Sequence, residues 1–90
     1  MSDETTTDHG LIRAWAEARD GRPGMIEGRV SSGGAPLLRF DFGTPEPGLT
    51  EIAWDEFFAI FEADRLALEF REASGHLSRF YKLVTRAPDA

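Results

Sequence analysis

The chain has 90 residues, a formal net charge of −6 and no cysteine, so disulfides, thiolate metal sites and thiol nucleophiles are excluded. A chain of this length makes one small domain that buries roughly 60 to 65% of its unfolded surface, with its stability coming from packing. The acidic balance disfavours non-specific binding of nucleic acid or anionic membrane, and no apolar run approaches the length of a bilayer span.

The polar start from Met1 to Thr7 has neither the basic nor the apolar region of a signal peptide, and cytoplasmic localisation is the expectation. Residues 1–7 lack periodicity and read as a disordered lead, residues 8–86 as a single domain, and residues 87–90 as a loose tail. Asp8 is the expected N-cap of a first helix. Its apolar stripe is Leu11, Ile12, Trp15 and Ala16, with Arg13, Glu17 and Asp20 toward water. Gly21 fits a left-handed position after the helix, and Pro23 helps to stop it near Arg19 or Asp20.

Eleven of the fourteen Gly and Pro residues fall between Gly21 and Gly48, which predicts turns and short strands there. Met25 to Val30 reads as a strand with Ile26 and Val30 inward and Glu27 and Arg29 outward, weakened or bulged at Gly28. Ser31 to Pro36 is a hairpin connection. Leu37 to Phe42 alternates, Leu38, Phe40 and Phe42 on one face and Leu37, Arg39 and Asp41 on the other. Gly43 to Gly48, with Pro45 and Pro47, reads as an extended crossover.

Trp54, Phe57, Phe58 and Phe61 recur at i, i+3, i+4 and i+7 and predict the core helix, widened by Ile60 and ending near Asp64 or Arg65. With Ala53 at the N-cap, Asp55 and Glu56 stand in the first turn, where carboxylates meet the positive end of the helix dipole, and Ile52 and Phe57 form a hydrophobic staple. Ala53 has no side-chain oxygen to bond the free amides. Leu66, Leu68 and Phe70 alternate in a third strand, Ser74-Gly75 supplies a turn, and Ser78 to Thr85 is a fourth strand. A two- or four-residue turn pairs Phe70 with Arg79, Leu68 with Tyr81 and Leu66 with Leu83, putting Tyr81 and Leu83 in the core; a three-residue loop puts Phe80 and Val84 there instead.

The expected fold is α+β in the order α-β-β-α-β-β, a mostly antiparallel four-stranded sheet with two helices packed on one face. No catalytic constellation stands out. His9 and His76 read as solvated surface histidines whose spacing fits no metal site, and Asp55-Glu56 is explained by the helix start. Gly33-Gly34 lacks the Lys and the strand-to-helix setting of a phosphate loop, and no cofactor motif occurs.

Binding readings rest on the outer sheet face, where Arg29, Arg39, Arg71 and Lys82 lie with Leu37, Phe80 and Val84 among the acids Glu27, Asp41 and Glu69. An aromatic among cations is the raw material of a single-strand nucleic-acid platform. Against it stand the acidic total and the lack of aromatic-basic motifs, and cross-strand pairing such as Glu69 with Lys82 gives an ordinary solvated sheet. Leu37, Phe80 and Val84 as an apolar patch, with the last strand as an open edge, favour an unknown protein partner or self-association through that edge.

The motifs Thr6-Thr-Asp-His9, Ile12-Arg-Ala-Trp-Ala-Glu17, Gly21-Arg-Pro23, Leu38-Arg-Phe-Asp-Phe42, Trp54-Asp-Glu-Phe-Phe58 and Ser78-Arg-Phe-Tyr-Lys-Leu-Val84 look like those of a family of small uncharacterised bacterial proteins of this length. Some proteins resembling it carry a 1,4-alpha-glucan branching enzyme label. That activity belongs to a large (β/α)₈ barrel with carboxylates from several strand ends, which 90 residues cannot build. The resemblance implies Ser where this chain has Ala53, and a longer acidic connection between the last two strands.

Overall fold

In a computed structural model, residues 3–30, 34–44, 46–71 and 78–86 are described. The elements are β1 (Asp3–Thr6), α1 (His9–Ala18), β2 (Arg22–Val30), β3 (Pro36–Asp41), β4 (Leu49–Glu51), α2 (Trp54–Ala63), β5 (Leu66–Arg71) and β6 (Tyr81–Thr85). The fold is α+β, but the single four-stranded sheet expected from the sequence is split into two antiparallel three-stranded sheets, ordered β1-β5-β6 and β3-β2-β4. Two strands were not anticipated. Asp3–Thr6, expected as part of a disordered lead, pairs along β5 from Asp3 opposite Arg71 to Thr6 opposite Leu68. The three-residue β4 follows the crossover and pairs with β2 from Ile26 to Gly24.

Both helices begin and end for local reasons. The Asp8 carboxylate accepts the Leu11 amide at 3.2 Å, the N-cap bond expected for α1. At its other end the Asp20 amide donates to the Glu17 carbonyl and the Gly21 amide to the Ala16 carbonyl, a pair of bonds that closes the last turn. The left-handed residue is Asp20, at φ 60°, rather than Gly21. Gly21 is required for space: a Cβ there would stand 2.7 Å from Phe42 Cε1. Ala53 is the N-cap of α2 and makes no side-chain cap bond, while Asp55 and Glu56 occupy the first turn.

The two helices and both sheets share one core. Ile12, Trp15 and Ala16 of α1 and Phe57 and Phe61 of α2 pack on Leu38 and Phe40 of β3 and on Leu66, Leu68 and Phe70 of β5. Phe40 lies at the junction, its ring stacked on Phe57 at 5.3 Å and 4.8 Å from the Tyr81 ring. Full burial of an aliphatic or Phe side chain stabilises by about 1.5 to 3 kcal/mol. Phe57, Phe61, Ile12 and Leu68 are the largest fully buried side chains.

The facing of β2 differs from expectation. Met25 is opposite Leu38 and shares the helix side, whereas Ile26 is opposite Leu37 and Leu49 on the other side, because register partners present their side chains to the same face. Ile26 is nevertheless buried, at 6% exposure, between its cross-strand neighbours Leu37 and Leu49; the β2–β4 pairing continues to Gly48, whose carbonyl accepts the Glu27 amide and where an added Cβ would stand 3.6 Å from Ile26 Cγ2. Val30, expected inward, is 66% exposed beyond an irregularity in which β2 advances four residues, from Ile26 to Val30, against one of β3.

Candidate functional site

β3 and β6 are each the last strand of their sheet, and they face one another across a groove of about 400 Å³ lined by residues 37–39 and 81–84. Among the described residues no backbone hydrogen bond joins the two strands. What spans the gap is a side chain: the Tyr81 hydroxyl accepts the Phe40 amide at 3.0 Å. Paired strands lie about 4.8 Å apart, so a strand pair bridged by a tyrosine side chain stands farther apart than one ladder spacing.

The alternation of an antiparallel ladder tells which backbone groups look into the gap. The Phe40 amide points to Tyr81, away from β2, and its partner Pro23 gives its carbonyl to the Ile52 amide on the β4 side. Leu38 and Phe40 therefore turn their backbone groups to the groove, and Leu37 and Arg39 turn theirs to β2. On the opposite bank the Arg86 amide donates to the Arg65 carbonyl, which makes Val84 with Ala67 and Lys82 with Glu69 the bonded pairs of the β5–β6 ladder. Tyr81, Leu83 and Thr85 then present their backbone groups to the groove.

The side chains of the groove divide by face. Leu38, Tyr81 and Leu83 belong to the helix side and pack on the core. Leu37, Arg39, Lys82 and Val84 belong to the outer side, as their register partners Ile26, Gly24, Glu69 and Ala67 require. Tyr81 and Leu83 thus join the core and Phe80 stays out at 37% exposure, although the observed register places Phe70 opposite Tyr81 and Leu68 opposite Leu83, two residues from the predicted pairing. A shift of two preserves the facing. The strand itself begins at Tyr81 rather than Ser78. Burial pushes the Tyr81 phenol above its ordinary pKa, with the Phe40 amide acting in the opposite sense.

Of the residues expected on the outer face, Leu37, Arg39, Lys82 and Val84 meet at this groove. Arg71 and Phe80 sit beside it, the Arg71 guanidinium 4.5 Å above the Phe80 ring and the Lys82 ammonium 5.9 Å from it. Arg29 does not line the groove. Arg39 is tied to the crossover by an ion pair with Glu46 at 3.4 Å. The approach to β6 is fixed by Arg19, which is buried beside Trp15, stacks on its indole at 4.3 Å and donates to the Ser78 carbonyl.

A second cluster escaped the sequence reading. His9, expected as a solvated histidine, stacks on Phe58 at 4.1 Å, and its Nε2 lies 2.6 Å from Glu62 Oε2. The same oxygen accepts from Arg86 at 2.8 Å. Bonds to Arg86 first and His9 second hold the Glu62 carboxyl below its ordinary pKa. No local signal could have found this pair, whose members are 53 positions apart. His76 and the Ser74-Gly75 turn lie outside the described residues. Among the described residues no group of three or more His, Asp or Glu side chains could hold a metal ion, and no helix is long and apolar enough to cross a membrane.

Comparison with family models, with curated proteins and with solved structures finds no match.

Proposed function

We propose that this chain is a small protein-interaction module without catalytic activity, and that the partner docks where β3 and β6 face one another. The observation that carries the proposal is the pair of strand edges whose backbone groups converge on one groove with no ladder between them. An open edge offers main-chain hydrogen bonds, which give affinity, while Leu37 and Val84 add apolar surface and Arg39 and Lys82 add charge. The His9–Glu62 pair does not compete as a reaction centre. Glu62 is shared between Arg86 and His9, which hold its carboxyl below the ordinary pKa, and the surrounding rings Phe58 and Phe61 make a packing site for His9.

The test is capture by the immobilised folded chain, compared with a Leu37→Asp, Val84→Asp variant of unchanged circular dichroism. A protein retained by the native groove and lost with the variant is the expected result. Identical retention by both would overturn the docking site.

Nucleic-acid binding through Phe80 is the second reading, favoured by the two cations around its ring. The Arg71 guanidinium at 4.5 Å already covers a face on which a base would stack, and the chain carries −6 overall. Titration of labelled single-stranded oligonucleotides should show no binding even at low salt; a steep salt-dependent isotherm would reverse the order of the two readings.

A further inference from the structure

We infer that the groove accepts a single extended strand of the partner polypeptide, apolar and acidic residues alternating along it, inserted between β3 and β6 and hydrogen-bonded to both. This rests on the docking reading above and goes further in naming the shape and chemistry of the occupant. Leu38 on one bank and Tyr81, Leu83 and Thr85 on the other aim their amides and carbonyls into the same gap, as the ladder alternation requires. A strand placed between them would complete two ladders at once and join the two sheets into one.

The banks run in opposite directions. Residues 37–39 lie across from 81–84, and Phe40 and Phe42 share a second groove with Arg79 and Tyr81, so β3 ascends as β6 descends. The inserted strand is consequently antiparallel to one bank and parallel to the other. The Tyr81 hydroxyl occupies the Phe40 amide in the free protein, and a carbonyl of the incoming strand would replace it.

Successive residues of a strand point to opposite faces. On the outer side the occupant passes between Arg39 and Lys82, the charged residues of the lining and both cations, which calls for carboxylates, one of them taking over Arg39 from its ion pair with Glu46. On the helix side it passes over Leu38, Tyr81 and Leu83, which calls for apolar residues. One period-two pattern satisfies both.

The experiment is selection of a displayed random-peptide library on the folded full chain, followed by binding of the enriched peptides in solution. Enrichment of apolar–acidic alternation is expected. N-methylation at the occupant's pairing amides should weaken binding by about tenfold or more. The Arg39→Glu, Lys82→Glu variant should reverse the preference toward basic peptides. Enriched peptides that ignore N-methylation would overturn strand insertion and leave surface docking standing. No enrichment over the charge-reversed variant would overturn both. Sedimentation showing a dimer with amide protection confined to β3 and β6 would replace the peptide with a second copy of this chain, and preferential capture of oligonucleotides would replace it with nucleic acid.

Discussion

The Tyr81 hydroxyl accepts the Phe40 backbone amide at 3.0 Å, and through that bond a side chain occupies the place where a β-ladder would otherwise close the two sheets together. The Tyr81 ring also meets Trp15, Phe40 and Phe42 at centroid separations of 5.9, 4.8 and 6.0 Å, so the residue is held from the core side as well. Its two roles separate cleanly in Tyr81→Phe, which keeps the ring and removes the acceptor. Loss of about 1 to 3 kcal/mol is expected from the unpaired Phe40 amide, toward the low end if water reaches it from the groove. Urea denaturation would measure this, and an unchanged midpoint would mean that the bond contributes nothing.

Hydrogen exchange gives a residue-level check on the two open edges. The amides of Leu38, Leu83 and Thr85 face the groove, whereas those of Arg39, Lys82 and Val84 lie within ladders. Alternating protection is therefore expected along both strands, with the ladder amides slower by on the order of tenfold or more. Uniform protection along β6 would show that its outer edge is paired, and the groove would lose its meaning.

The elements that the sequence made legible are those whose period carries their burial. The i, i+3, i+4, i+7 aromatics of α2, the Asp8 cap and the alternation of β3 and β5 each encode a local conformation and one buried face. β1 could not be read in this way, since Asp3-Glu4-Thr5-Thr6 has no apolar residue and owes its extension to pairing with β5. Met25 and Ile26 are adjacent and both apolar, so alternation alone could not choose between them. The choice depends on the pairing of β2 with β3 and β4, which sets Ile26 between Leu37 and Leu49. The division of the sheet was hidden for a similar reason: whether β3 meets β6 depends on contacts between distant parts of the chain. The four groove residues were legible as outward-facing positions, but the gap between them was not.

The N-cap of α2 is open to improvement. Ala53 has extended backbone angles, φ −73° and ψ 153°, suited to a capping residue, but it cannot bond the free amides of the first turn. Ala53→Ser supplies an acceptor without altering a buried position, since Ala53 is exposed. A gain of about 1 kcal/mol is expected, read as a higher Tm in thermal denaturation. No gain would indicate that water or the flanking carboxylates already satisfy those amides.

Gly21 tests the seating of α1 against β3. Substitution to Ala brings the new methyl to 2.7 Å from Phe42 Cε1 and 3.1 Å from the Ala16 carbonyl oxygen, the acceptor that closes the helix. Phe42 is half-buried and can shift only by disturbing its contacts with Trp15, Phe40 and Tyr81. Destabilisation of about 1 to 3 kcal/mol is expected. Denaturation of the Phe42→Leu, Gly21→Ala double variant checks the cause: the penalty of the glycine change should shrink when the ring is gone, and an additive result would place the strain elsewhere.

The Glu62 cluster predicts how acid acts on the fold. Arg86 and His9 hold the Glu62 carboxyl below its ordinary value of 4.5, so the folded chain binds that proton less readily than the unfolded chain. Its contribution to stability is therefore complete above the unfolded value and declines as pH falls through 4.5 toward the lower folded value. Because the pair is about half exposed, at 43% for His9 and 45% for Glu62, solvent screens the interaction and the effect is modest and sensitive to salt. Glu62→Gln should flatten this part of the acid limb in a denaturation series, whereas Asp55→Asn at the start of the same helix tests the dipole and should leave the Glu62 component in place. An acid limb identical in native chain and Glu62→Gln would mean that the bonds to Arg86 and His9 do not persist in solution.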